Sequence, residues 1–127
     1  VSDAGAAAAA LRVLGGRDEW LGRQSATFAA GCPMTAAVVV EQLARGRALS
    51  LAEKFRLELV VGTACARHRD FAEGVRALLI DKDRAPKWRH ETFGAVPRED
   101  VEAHFTAPWP RNPLGDLEDG SWPASAS

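Results

Sequence analysis

The side chains that could do chemistry in this chain of 127 residues are few and scattered. Cys32 and Cys65 lie inside apolar stretches without C-x-x-C spacing, which reads as two reduced, core-filling thiols. A disulfide between them is not expected, because reducing compartments disfavour one. His68, His90 and His104 lack the spacing that lets three or four ligands converge on zinc, so structural or surface roles are expected and no metal site. Ser25, Ser50 and Thr63 have no G-x-S-x-G context, so none is a candidate nucleophile. Neither a G-x-x-x-x-G-K-[ST] loop nor a G-x-G-x-x-G turn occurs, which removes the commonest nucleotide motifs. Arg67, His68 and Arg69 could meet a phosphate but read first as a solvated turn. Lys82 stands where a helix should end, and the helix dipole stabilises a cation there with no ligand needed.

The stretch around which the rest of the chain is organised is Asp70 to Trp88, DFAEGVRALLIDKDRAPKW, and it carries Lys82. Asp70 can accept from the first backbone N–H groups of a helix, and Glu73 can reach back to the cap's own N–H, so D-x-x-E predicts an acidic capping box. Phe71, Val75, Leu78 and Leu79 then form one apolar helical stripe. Gly74 costs about 1 kcal/mol inside a helix, which predicts a backbone or ligand passing close by. Asp81, Lys82 and Asp83 end the apolar run, and Pro86 forbids the helix from resuming.

That segment, D-F-x-E-G-V-R-A-L-L-I-D-K-D-x-x-P-K-W, closely resembles the C-terminal signature of the 3-hydroxyisobutyryl-CoA hydrolases, a branch of the enoyl-CoA hydratase/isomerase (crotonase) superfamily. Ordinary hydratases of the superfamily carry a shorter relative, roughly E-G-x-x-A-F-x-E-K-R-x-P-x-F. The resemblance runs upstream through Asp18–Leu43 and Ser50–Arg67 and downstream to about Phe105, yet it corresponds only to the family's C-terminal third. Cys32 and Ala37 depart from the family's S-P-T-S-L-K-V-T helix, and neither departure is expected to touch catalysis.

The resemblance implies a fold that is all-α as it stands, the helical C-terminal region of a crotonase-like enzyme whose ββα core is missing. It implies an acyl-CoA thioester hydrolase of valine catabolism, with coenzyme A as part of the substrate and no separate cofactor. Alternatives are a C-terminal part of an enoyl-CoA hydratase or isomerase, or a non-catalytic helical interaction module. By resemblance Lys82 contacts the adenine-nucleotide portion of CoA, while Lys87 and Trp88 anchor the loop. In such enzymes two backbone N–H groups polarise the thioester carbonyl, and a Glu and an Asp move the proton or activate water. Nothing in this chain matches those residues, so no catalytic residue is assigned and the chain alone is expected to be inactive. Its expected partners are an N-terminal crotonase core in cis and, through that missing core, the acyl-CoA substrate; apolar side chains such as Phe55, Leu59, Phe71, Val75 and Leu78 are available for self-association.

Composition narrows the remaining possibilities. Sixteen Lys and Arg against 17 Asp and Glu leave a net charge of −1, which gives no electrostatic case for nucleic acid or an anionic membrane. No apolar run approaches the roughly 20 residues that span a bilayer. The Ala-rich N-terminal stretch lacks the basic flank of a signal peptide, so a cytoplasmic location is expected. Absence of an initiator Met fits an excised piece of a longer chain.

Five or six helices are predicted over residues 1–105. The first runs from a Ser2 or Asp3 cap through the alanines to Leu14, and the second from about Arg17 to Ala30. The third spans Met34 to Arg45 despite the β-branched Val38–Val40, and Pro33 suits its first turn. The fourth is capped by Ser50 with Glu53, and its apolar circumference predicts a central helix packed on several sides. A short last helix covers Pro97 to Phe105. Residues 106–127 form a Pro/Gly/Trp-containing tail, expected to be flexible or pinned by Trp109 and Trp122.

Overall fold

A computed structural model describes residues 4–118, and every regular element in them is helical. The order is α1 (Ala4–Gly15), α2 (Glu19–Ala29), α3 (Pro33–Gly46), α4 (Leu51–Arg67), α5 (Arg69–Val75), a π turn (Arg76–Ile80), a 3-10 turn (Phe93–Ala95) and α6 (Arg98–Ala103). The Ser2 or Asp3 cap and Trp122 lie outside the described residues.

Local signals set most boundaries. Asp18 caps α2 by accepting from Leu21 N–H at 3.0 Å. Pro33 opens α3, where its missing N–H costs nothing. Ser50 accepts from Glu53 N–H at 3.3 Å while Glu53 accepts from Ser50 N–H at 2.8 Å, the expected capping box. The Val38–Val40 run is helical: Val38 is buried in the core while Val39 faces solvent.

Between α1 and α2 the backbones nearly touch, since a Cβ on Gly22 would stand 3.2 Å from the Gly15 carbonyl oxygen. Met34, Val38 and Val61 form the core, with Cys32, Leu57, Cys65, Val96 and Phe105 packed on it. Charges fasten α6 to α3. Arg45 bridges Glu41 at 2.6 Å and Glu102 at 2.5 Å, Arg98 reaches Glu41 at 2.7 Å and also pairs with Glu102, and the Arg45 guanidinium lies 4.2 Å over the Phe105 ring.

One expectation changes here. The fourth helix is not enclosed: Ala52, Val60 and Val61 are buried, but Leu51 and Phe55 are exposed. There are too few elements to cover every apolar side of α4. In the described part of the tail, polar groups tie the chain to α4. Arg56 donates to the carbonyl oxygens of Leu114 and Leu117, and the Asn112 amide donates to Arg56 O at 3.1 Å.

Candidate functional site

The α4–α5 junction turns on His68, which ends one helix and caps the next, its Nδ1 accepting from Asp70 N–H at 3.3 Å. The predicted Asp70–Glu73 capping box is therefore absent, because His68 already occupies the cap. Asp70 sits in the first turn, 5% exposed, and its carboxylate leaves the helix. Oδ1 accepts from Arg89 N–H at 2.8 Å and Oδ2 accepts from the Cys32 thiol at 3.4 Å. The predicted turn at Arg67–His68–Arg69 thus holds a mostly buried imidazole between two exposed arginines.

Glu73 turns toward the loop and accepts from Lys87 N–H at 2.7 Å. It also takes Arg76 in a two-pronged pair at 2.8 and 3.0 Å. Nη1 of the same guanidinium reaches Asp81 at 2.6 Å and Asp83 at 2.7 Å, and Nη2 donates to Ala85 O at 3.3 Å. Arg76 first and the Lys87 N–H second hold the Glu73 carboxyl down at about 2. Asp83 is also lowered, by the Ala85 N–H first and Arg76 second, while Arg76 itself is raised, chiefly by Glu73.

The helix widens to a π turn as it meets this hub, and Asp81 N–H donates to Arg76 O at 2.8 Å. Lys82 and Arg84 follow with φ of 55° and 54°, left-handed values that cost a non-glycine residue roughly 1 kcal/mol or more. Such strain persists only where neighbours over-determine it. Here Arg84 N–H donates to Ala77 O at 3.0 Å, and Asp83 Oδ1 accepts from Ala85 N–H at 2.9 Å.

Trp88 closes the loop back onto α5. A Cβ on Gly74 would stand 3.3 Å from the indole Cη2, and the indole N–H donates to Ala30 O at 3.4 Å. The close neighbour of Gly74 is therefore a side chain, the Trp88 indole, and not the backbone or ligand predicted.

Between α3, the C-terminal part of α4, α5 and this loop lies a mostly apolar cleft of about 620 Å3. Phe71, Val75, Leu78 and Leu79 line it from α5 and its π turn, Met34 and Val38 from α3, and Arg84, Pro86 and Trp88 from the loop. Cys32, Cys65, His68, Asp70 and His104 supply its polar atoms. Phe71, Leu78, Leu79 and Ile80, close together in the chain, are 57%, 62%, 64% and 70% exposed.

The polar cluster is poorly suited to catalysis. Burial pushes both thiols up, with the Asp70 carboxylate adding to the effect at Cys32, so both stay protonated at neutral pH. Burial pushes His68 down, against the opposing pull of Asp70. Since its Nδ1 accepts, the proton sits on Nε2, which is buried and without a hydrogen-bond partner. His104, 5% exposed, tilts against His68 with ring centroids 5.2 Å apart, and its Nδ1 pairs with Asp100 O at 2.8 Å. Among the described residues no group of three or more His, Cys, Asp or Glu could hold a metal ion. The arrangement can bind an apolar group; it offers no activated nucleophile.

Lys82 is exposed and does not line the cleft. Sequence reasoning missed Arg76 and Arg84. A signal existed in the acidic residues around Arg76: Glu73 stands at i,i+3 helical spacing from it, while Asp81 and Asp83 lie five and seven residues on, outside the spacings at which helical ion pairs form.

The family described as enoyl-CoA hydratase/isomerase matches residues 3–105. A Danio rerio protein named "3-hydroxyisobutyryl-CoA hydrolase, mitochondrial" is 38% identical over 85 residues, which cover 67% of this chain and 22% of that protein. Proteins of the same name from Homo sapiens and Gallus gallus are 41% identical over 73 residues and 38% over 84. These cover 58% and 66% of this chain, and 19% and 20% of the relatives. The chain spans about a fifth of the length of the curated relatives it matches.

Proposed function

Because the chain belongs to the enoyl-CoA hydratase/isomerase family, we propose that it is the helical part of an acyl-CoA thioester hydrolase of the 3-hydroxyisobutyryl-CoA type. The whole enzyme cleaves the thioester of a short branched hydroxyacyl-CoA, a step in valine breakdown. Catalytic N–H groups and carboxylates come from a ββα core. This chain covers the acyl-CoA site and completes the packing of that core.

The observation that carries the reading is the open apolar cleft formed by the signature segment. Phe71, Leu78 and Leu79 line it while keeping more than half of their surface in solvent. Burying three such side chains is worth several kcal/mol, about 1.5–3 each when complete, which suits a face that seats a substrate arm or another part of the same enzyme. Lys82, exposed beside the cleft loop, contacts the adenine nucleotide of CoA in this reading.

The test replaces the matching segment of the Danio rerio relative with residues 3–105 of this chain and measures hydrolysis of 3-hydroxyisobutyryl-CoA. Retained turnover, abolished by a Leu78→Glu, Leu79→Glu pair, is the expected result. A folded chimera without turnover would count against the proposal.

A further inference from the structure

Arg84 is a cation that this reading leaves without a task. It lines the cleft, is exposed, and its guanidinium has no partner among the described residues. Its backbone, by contrast, is fixed. The left-handed φ of 54° is held by the Ala77 bond, and the neighbouring Asp83 and Ala85 are gripped by Arg76. An unpaired arginine on a loose loop is ordinary. One launched from a strained position beside an apolar cleft, with the nearby Asp81 and Asp83 already engaged by another guanidinium, is left free for an anion from outside.

The chemistry narrows the anion. The cleft takes an apolar arm, and a guanidinium fork matches the oxygens of a phosphate in two parallel bonds. We infer that Arg84 is a specificity-determining residue that takes a phosphate group of the acyl-CoA, and that Arg76 is the positioning residue that sets it there. This rests on the acyl-CoA reading of the cleft. Arg76 acts through the loop: its three carboxylate partners and the Ala85 carbonyl fix the residues on both sides of Arg84.

The experiment titrates the chimera described above, which supplies the core, with coenzyme A and with pantetheine, which keeps the arm but carries no phosphate. Arg84→Asn removes the charge while tolerating a left-handed backbone. It should melt like the parent, because the side chain it replaces is exposed and unpaired. CoA affinity should fall roughly ten- to a hundred-fold, the range of a charge-assisted hydrogen bond. Pantetheine affinity should stay unchanged, and the salt dependence of CoA binding should weaken. Arg76→Lys, which cannot span its partners, should lower CoA affinity and leave pantetheine alone.

Equal CoA affinity in the parent and Arg84→Asn overturns the role of Arg84 and leaves the acyl-CoA reading standing. Unchanged CoA affinity in Arg76→Lys overturns the positioning role. A folded parent chimera that binds neither CoA nor pantetheine overturns the acyl-CoA reading and this inference with it.

Discussion

Asp70→Ser separates two accounts of the signature segment. If Asp70 were a helix cap, serine would replace it at a cost of a few tenths of a kcal/mol, since both residues cap well. In the structure Asp70 is a tertiary anchor, 5% exposed, with Arg89 N–H at 2.8 Å and the Cys32 thiol at 3.4 Å. The serine oxygen is one bond too short to serve both. Losing a charge-assisted acceptor for a backbone N–H costs about 1.5–3 kcal/mol. Water can reach exposed Arg89, which favours the lower end, while the thiol contact adds a few tenths. A loss of about 2–3 kcal/mol follows. With a urea m-value of roughly 1–2 kcal/mol/M, that is a midpoint shift of about 1–3 M. Urea unfolding followed by tryptophan fluorescence and far-UV circular dichroism reads it directly. A loss below about 0.5 kcal/mol would refute the anchor and restore the cap.

Gly74→Ala should gain little in the parent, because the new Cβ meets the Trp88 ring at 3.3 Å. In a Trp88→Ala background it should stabilise by about 0.5–1 kcal/mol, the helix propensity gain of alanine, and a double-mutant cycle on thermal unfolding checks this. His68 is held neutral when folded, with its pKa below the ordinary 6.5. The unfolded chain therefore takes the proton first, and stability present above about pH 6.5 should decline as pH falls toward the folded value. His68→Gln, compared with the parent in urea titrations at several pH values, should flatten that decline. Glu73 is lowered from 4.5 to about 2, so its contribution is present above pH 4.5 and lost as pH falls through about 2. Glu73→Gln should flatten the acid limb of stability. Both thiols should react slowly with iodoacetamide at pH 7 in the folded chain and quickly in urea, since burial raises both.

The all-helical fold was legible where local chemistry acts alone. Ser50 and Glu53 could be paired from spacing, as could Pro33 with a helix start, because caps depend only on neighbours. Asp70 and Glu73 show the limit. The same D-x-x-E spacing serves a cap or a tertiary anchor, and a histidine just upstream took the cap here. Arg76 was only partly legible: Glu73 stands at helical spacing from it, but Asp81, Asp83 and Ala85 lie beyond a π turn, where helical spacing rules fail. Of the apolar side chains expected at a docking face, Phe55, Phe71 and Leu78 are exposed, while Leu59 and Val75 are only partly so. Leu79 and Ile80 belong with them, left in solvent as the helix widens into its π turn.

We propose that the face around Phe71, Leu78, Leu79 and Ile80 is an interface rather than the surface of a self-contained domain. Binding of a hydrophobic dye to the isolated chain, read beside solution scattering, tests it most directly. The account predicts strong dye fluorescence that falls sharply in a Leu78→Glu, Leu79→Glu variant, with the parent self-associating or expanded in solution. A compact monomer that binds no dye and melts cooperatively would contradict it.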